Sequence, residues 1–171
     1  MKTKITVTDA CIFIDLLELG LLSSFFNLEL DVFTTNDVYH ELFVDQKLAL
    51  KSFEAMGKLT IFKLSEEDYA DIASNLFPKG LSKADKSILL LANKLNACVL
   101  SSDRLLRNYA KNSNISYHGM LWIFDQLVES GTLTKLNASA KLKTLVEINF
   151  TFRNNNLLLS EIQKRLEAWK Q

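Results

Sequence analysis

Short apolar runs with strand-like patterns recur along the chain, and segments with helical spacing separate them. Ile5 and Val7 alternate with Thr6 and Thr8, which is the period of a half-buried strand. Four more short apolar runs, each bounded by polar or turn-forming residues, have the length of strands. The pattern therefore predicts strands at residues 3–8, 31–35, 59–63, 97–101 and 115–117.

Apolar residues at helical spacing fill most of the remaining chain. After Ser65, apolar positions 69, 72, 73 and 76 recur at i, i+3, i+4 and i+7, and positions 88, 91, 92 and 95 do the same after Ser82. We interpret Asn36, Asn137 and Ser160 as further helix caps. Helices are predicted around residues 10–19, 21–27, 36–43, 47–56, 65–76, 82–95, 105–110, 120–127, 137–146 and 160–169, with a loop at 153–156.

Strands that alternate with helices are typical of right-handed crossovers in a parallel sheet. The predicted fold class is α/β, a three-layer α/β/α sandwich with a central parallel sheet of about five strands and a helical C-terminal extension. We expect one domain over residues 1–171, with a core at about 3–118 and the extension at about 119–171. No repeat or linker divides the chain.

Composition narrows the class of protein without identifying it. The 171 residues are 48% apolar, which is typical of an ordered globular chain. No apolar run approaches the ~20 residues of a membrane helix, and we find no signal peptide, so the expected location is the cytoplasm. Cys11 and Cys98 are interpreted as buried, reduced thiols. The net charge is zero, so only a local basic patch would favour a polyanionic partner.

Four acidic residues occupy related places in the predicted fold. Asp9 and Asp103 follow the first and fourth strands, Glu41 lies in the helix after the second strand, and Asp85 lies in the first turn of the helix before the fourth. Ligands of such sheets bind beyond the carboxyl ends of the strands, where the strand order reverses. If the first and fourth strands are neighbours there, the four acids converge, and their mutual repulsion favours a divalent cation.

Each of these acids also has a structural alternative. Asp85 is the third residue of a helix capped by Ser82, and Asp9 and Asp103 are each suited to capping a helix. Glu41 is either an exposed helical residue or one at the core-facing margin. Two other acids of the first helix, Asp15 and Glu18, are interpreted as solvated or structural.

The order of these motifs resembles that of PIN-domain ribonucleases, the PilT N-terminus-like nucleases. The first strand ends in Asp9, a Val-x-x-Glu segment ends in Glu41, a small residue precedes Asp85, and a Ser-x-Asp-x-x-Leu segment contains Asp103. The resemblance covers about residues 3–118. The segment that begins at His118 is similar to the C-terminal part of a subgroup related to VapC-type toxins.

The chain departs from the family pattern at two positions. Many members have Ser, Thr or Asn directly after the first Asp, where this chain has Ala10. Many also have a second acid next to the Asp of the fourth strand, where this chain has Ser102. These departures favour an alternative in which the domain is a catalytically weak or inactive module that binds RNA or a protein.

The resemblance implies metal-dependent hydrolysis of RNA phosphodiester bonds with Mg²⁺ or Mn²⁺. Asp9, Asp85 and Asp103 would hold one or two ions, and Glu41 would bind the second ion or orient the attacking water. Ser101 and Ser102 would support the carboxylates or a phosphate. Candidates for contact with the RNA backbone are Lys83, Lys86, Arg104 and Arg107, flanked by Lys79 and Lys111, although an ordinary solvated helix face explains these residues equally well.

Partners follow from the same resemblance. A toxin of this subgroup would cut RNA and would be inhibited by a small antitoxin protein. A homodimer would use apolar helices, which are equally suited to a core; the residues in question are Leu16, Leu17, Leu21, Leu22, Trp122 and Phe124. A DNA-directed nuclease on the same scaffold stays open. A phosphate-receiver domain does not fit, since paired acids before the first helix and a late strand-end lysine are missing.

Overall fold

The computed structural model describes residues 4–170, so position 3 of the first predicted strand lies outside the described residues. Within that range the chain forms five strands and eleven helices. The strands are β1 (Lys4–Thr8), β2 (Leu30–Thr35), β3 (Leu59–Phe62), β4 (Cys98–Leu100) and β5 (Tyr117–His118). The helices are α1 (Ala10–Glu18), α2 (Leu22–Phe26), α3 (Asn36–Glu41), α4 (Val44–Ala55), α5 (Glu66–Ser74), α6 (Lys83–Leu95), α7 (Arg104–Asn112), α8 (Met120–Glu129), α9 (Lys135–Ile148), α10 (Phe150–Arg153) and α11 (Asn156–Ala168).

The five strands form one sheet in the order β3-β2-β1-β4-β5, and every pair of neighbours is parallel. The prediction of an α/β fold with a parallel sheet of five strands is confirmed. The order reverses between β1 and β4, where Thr8 is in register with Leu100. The residues that follow these two strands therefore emerge side by side, as the sequence predicts for Asp9 and Asp103.

Burial of the central strands explains their composition. Val7, Val99 and Leu100 are fully buried, and so are Thr6 and Thr8. Both faces of β1 are thus covered, which is why its threonines lie inside although they alternate with apolar residues. Helix α6 packs against β1, β2 and β4, and its apolar side includes the fully buried Ile88.

The described chain divides into two compact units. The first comprises residues 4–14 and 29–120, and the second comprises residues 15–28 and 121–170. The prediction of a single domain stays a prediction. The end of the first unit at Met120 is close to the expected start of the C-terminal extension, but the sequence did not separate residues 15–28 from the core. Among residues 4–170, no helix is both long enough and apolar enough to cross a membrane.

Several helices begin at residues other than those predicted. The Thr35 hydroxyl, rather than Asn36, caps α3 by accepting from the Val38 amide. Thr134 rather than Asn137 caps α9, and Asn155 rather than Ser160 caps α11. In each case an earlier polar side chain reaches the free amides of the first turn, so the helix begins before the predicted cap. The predicted loop at 153–156 shrinks to the turn between α10 and α11.

Candidate active site

Asp9 lies between β1 and α1, and four hydrogen bonds fix it there. Its amide donates to the Leu100 carbonyl (2.9 Å), which ties it to β4. Its Oδ1 accepts from the Ala10 amide (2.7 Å), while Oδ2 accepts from the Ser101 hydroxyl (2.7 Å) and the Cys11 thiol (3.1 Å). The residue is 6% exposed, and this burial raises the pKa of the carboxyl group against the lowering effect of its donors.

The turn after β4 is built around Asp9. The Ser101 hydroxyl donates to Asp9 and accepts from the Asp103 amide (3.0 Å), so one buried side chain connects the two acids. The Ser102 amide donates to the Cys11 sulfur (3.3 Å), whereas the buried Ser102 hydroxyl has no hydrogen-bond partner among residues 4–170. Burial and then the charge of Asp9 raise the pKa of the Cys11 thiol well above its usual range, so Cys11 keeps its proton and remains a donor.

Asp103 and Asp85 both cap helices and both keep one carboxylate oxygen uncommitted within the described part of the chain. Oδ1 of Asp103 accepts from the Leu106 amide (2.7 Å) at the start of α7. Oδ2 of Asp85 accepts from the Ser82 amide (2.7 Å), and Ser82 returns the bond to the Asp85 amide (3.0 Å) at the start of α6. The capping interpretation is therefore correct for both, and it leaves Oδ2 of Asp103 and Oδ1 of Asp85 for another ligand.

Glu41 is the last residue of α3 and is exposed. Partial burial is the main reason that its pKa is raised, and the charges of Asp9, Asp85 and Asp37 add to the effect. Asp85 likewise contributes to the raised pKa of Asp9. The charges of Asp9, Glu41 and Asp85 therefore repel one another, while Asp103 is linked to Asp9 through Ser101.

No basic side chain among residues 4–170 forms an ion pair with Asp9, Glu41, Asp85 or Asp103. Two other buried acids of the same unit are neutralised, since Lys83 pairs with Asp37 (3.1 Å) and Lys94 pairs with Asp68. In this unit, Asp37 and Asp68 each have a lysine partner, whereas the acids at the carboxyl edge of the sheet have none among the described residues. Such an arrangement attracts an external cation.

Within the described residues, no three Asp, Glu, His or Cys side chains converge closely enough to hold a metal ion together. The available donors are carboxylate and hydroxyl oxygens, which suit Mg²⁺ and Mn²⁺. Mg²⁺ in proteins is usually held by one or two carboxylates, several waters and a substrate phosphate rather than by a closed protein cage. The side chains present therefore fit a hard divalent ion that is completed by water and substrate.

The structure adds two residues that the sequence analysis did not assign to the site. The sequence predicts only a buried thiol at Cys11, whereas in the structure this thiol donates directly to Asp9. Asp37 precedes Glu41 by four residues, one turn along the same face of α3, and that spacing is the only sequence feature that relates the two acids.

The basic residues that are predicted to contact the RNA backbone lie in different surroundings. The Lys83 ammonium contacts Asp37 and lies 4.4 Å from the centre of the Tyr69 ring. The guanidinium of Arg107 lies 5.2 Å from the centre of the Tyr117 ring, and Arg104 is exposed at the start of α7. Lys86 is half-buried in α6. Their contact with RNA stays a prediction.

Comparison with known proteins identifies the family. A family model described as DUF3368: PIN domain matches residues 5–168. The chain is also similar to the solved structure of a PilT N-terminus domain protein from the hyperthermophilic archaeon Sulfolobus solfataricus P2, with 17% sequence identity, a TM-score of 0.48 and coverage of 74% of this chain and 92% of that chain. No curated protein matches the sequence. PIN domains are typically nucleases and generally use divalent metal ions. Because the family model spans nearly the whole sequence, this chain belongs to the PIN-domain family.

Proposed function

We propose that the protein is a metal-dependent endoribonuclease that hydrolyses RNA phosphodiester bonds with Mg²⁺ or Mn²⁺. The observation that carries the proposal is the absence, among residues 4–170, of any ion-pair partner for Asp9, Glu41, Asp85 and Asp103, while Asp37 and Asp68 are each paired with a lysine. Membership of a family of nucleases supports the same conclusion.

In the proposed mechanism each acid has a separate task. Asp9 would be a metal ligand, because Ser101 and Cys11 fix the direction of its carboxylate. Asp85 and Asp103 would contribute their uncommitted oxygens, directly or through water. A divalent ion held there would supply an activated water and would neutralise charge on the phosphate. Glu41 orients the attacking water and accepts its proton, a role that its raised pKa favours.

The proposal extends to the substrate and to a partner. Arg104 and Arg107 on α7 and Lys86 on α6 supply positive charge for the phosphates on either side of the cleaved bond. We propose further that the protein is the toxin of a toxin–antitoxin pair and that a small antitoxin protein inhibits it. A homodimer is a weaker proposal, because Leu16, Leu21, Leu22 and Phe124 are buried within the second unit and only Leu17 and Trp122 are half-exposed.

The test is cleavage of a labelled single-stranded RNA, with a DNA of the same sequence alongside, in Mg²⁺, in Mn²⁺ and in EDTA. We expect RNA cleavage only with metal, and a loss of at least about 1,000-fold in Asp9→Asn. Asp15→Asn is the matched control, since it also replaces a buried carboxylate but lies outside the site. Cleavage that survives both EDTA and Asp9→Asn would refute the proposal, and preferential cleavage of DNA would reassign the substrate.

A non-catalytic module that binds RNA or a protein is the second candidate. Ala10 and Ser102, whose hydroxyl has no partner among residues 4–170, favour it, because both positions offer less support to a metal than the usual family pattern. Calorimetric titration with Mn²⁺ separates the two functions. Metal binding that disappears in Asp9→Asn/Asp103→Asn supports the nuclease. The module is supported if neither the wild type nor Asp85→Asn binds Mn²⁺ and if Asp85→Asn still binds RNA.

A further inference from the structure

A polar cluster formed by Asp37, Tyr69 and Lys83 joins three helices beside the acidic residues. The Tyr69 hydroxyl of α5 donates to both carboxylate oxygens of Asp37 on α3, at 3.0 and 3.1 Å. The Lys83 ammonium of α6 lies 3.1 Å from Oδ1 of Asp37 and 4.4 Å from the centre of the Tyr69 ring. Asp37 is 8% exposed, so these contacts compensate for the cost of burying its charge.

Asn36 extends this cluster toward the polypeptide backbone. Its side-chain nitrogen donates to the Tyr69 hydroxyl (3.3 Å), and its side-chain oxygen accepts from the Leu64 amide (3.0 Å). The Tyr69 hydroxyl and both ends of the Asn36 side-chain amide are thereby committed to fixed partners. A cluster connected in this way holds its members in one geometry.

Two of the three helices that the cluster joins, α3 and α6, also carry Glu41 and Asp85. Helix α3 has six residues, and a helix this short depends on tertiary contacts for its position. Asp37 lies one turn before Glu41 on the same face of α3, while Lys83 and Asp85 share the first turn of α6. The Asp37–Lys83 ion pair therefore connects the turn that carries Asp85 to the helix that ends in Glu41.

We propose that Asp37, Tyr69 and Lys83 are positioning residues that hold Glu41 opposite Asp85, and that the main task of Lys83 is this contact rather than binding of the RNA backbone. The inference rests on the proposed nuclease function. It explains why a lysine beside an acidic site is committed to Asp37. It also explains why a buried acid is kept in a short helix where an apolar residue would pack at lower cost.

The test compares Tyr69→Phe with Lys94→Met. Tyr69→Phe removes one hydroxyl and changes no charge. Lys94→Met removes the ion pair with Asp68, which joins α5 to α6 nine residues beyond Asp85 along α6. We expect Tyr69→Phe to lower the single-turnover rate of RNA cleavage in Mn²⁺ about tenfold at saturating RNA, with the RNA concentration at half-maximal rate unchanged. Lys94→Met should keep the wild-type rate, although both variants lower the melting temperature.

A second pair of variants separates positioning from RNA contact. If Lys83 positions Glu41, Lys83→Met lowers the maximal rate, and Lys83→Arg restores most of it because the guanidinium keeps the ion pair. If Lys83 instead binds phosphate, Lys83→Met raises the half-saturating RNA concentration and leaves the maximal rate unchanged, which overturns the inference. Equal rates for Tyr69→Phe and Lys94→Met would also overturn it while leaving the nuclease intact. A wild-type protein without metal-dependent cleavage would overturn both proposals.

Discussion

The Ser101 hydroxyl donates to Oδ2 of Asp9 at 2.7 Å and thereby joins the ends of β4 and β1. The same hydroxyl oxygen accepts from the Asp103 amide, so Ser101 sets the direction of one acid and the backbone position of another. Because both strands are parallel neighbours in register, this contact follows directly from the sheet order. It connects two acids that lie 94 positions apart in the sequence.

Replacing Ser101 by Ala should weaken metal binding without unfolding the protein. The substitution removes a donor that orients the Asp9 carboxylate and an acceptor for the Asp103 amide. Loss of a hydrogen bond to a metal-binding side chain typically lowers metal affinity or activity by about 10–100-fold. Titration of Mn²⁺ into Ser101→Ala and wild type measures the change. An affinity equal to that of wild type, in a variant with a native circular dichroism spectrum, would contradict the assigned role.

Asp9→Asn should make the metal-free protein more stable. The pKa of Asp9 is raised in the folded state, mainly by burial, so the folded protein bears a cost for ionisation that the unfolded chain does not. The cost of ionising Asp9 lowers the stability of the folded protein fully at a pH above the pKa of Asp9 in the folded state. It disappears when the pH falls below the pKa of Asp9 in the unfolded chain. In EDTA at pH 7.5 we expect the melting temperature of Asp9→Asn to lie above that of the wild type.

The pH dependence provides the check on this second prediction. The advantage of Asp9→Asn in EDTA should shrink as pH falls through the titration of Asp9, because the wild-type carboxyl then becomes neutral too. In saturating Mn²⁺ the wild type should have the higher melting temperature, since only the wild type gains stability from the bound ion. A variant that is less stable than wild type in EDTA at every pH would show that Asp9 is a structural acid.

Cys11 offers a matched pair of substitutions for the same site. Its thiol donates to Asp9, and its raised pKa keeps the proton in place at neutral pH. Cys11→Ser retains a donor, whereas Cys11→Ala removes both the donor and the acceptor of the Ser102 amide. We expect Cys11→Ala to weaken Mn²⁺ binding about tenfold and Cys11→Ser to stay within about threefold of wild type. Equal losses in the two variants would indicate a packing effect instead of a hydrogen bond.

The pattern of residues predicts those positions in the candidate site that are set by the order of strands and helices along the chain. Once β1 and β4 are adjacent, Asp9 and Asp103 must emerge together, and the helix cap at Ser82 fixes Asp85 in the first turn of α6. The pairing of Asp37 with Lys83 could not be predicted, because it depends on how α3 and α6 pack and the two residues are 46 positions apart. The caps at Thr134 and Asn155 show a related limit: Thr134 and Asn137, like Asn155 and Ser160, are all suited to capping, and local sequence does not rank them.

Asp15 should make the stability of the protein depend on pH independently of any metal. It is 4% exposed, its Oδ1 accepts from the Asn149 side chain (2.9 Å), and its Oδ2 has no hydrogen-bond partner among residues 4–170. Burial raises the pKa of this carboxyl group to about 6, and the charge of Glu18 acts in the same direction. The folded protein therefore binds a proton more tightly than the unfolded chain does.

The sign of the effect follows from this difference. As pH rises from about 4, the ordinary value for Asp, to about 6, the folded state loses stability relative to a variant that cannot ionise. Asp15→Asn keeps an oxygen for Asn149 and should be more stable than wild type at pH 7.5 by up to about 3 kcal/mol, an upper value for a shift of about two pKa units. Urea denaturation at pH 5 and pH 7.5 measures it. Glu18→Gln is the control, with a smaller change because Glu18 is exposed. An advantage of Asp15→Asn that is the same at both pH values would mean that the Asp15 carboxyl does not titrate in this range.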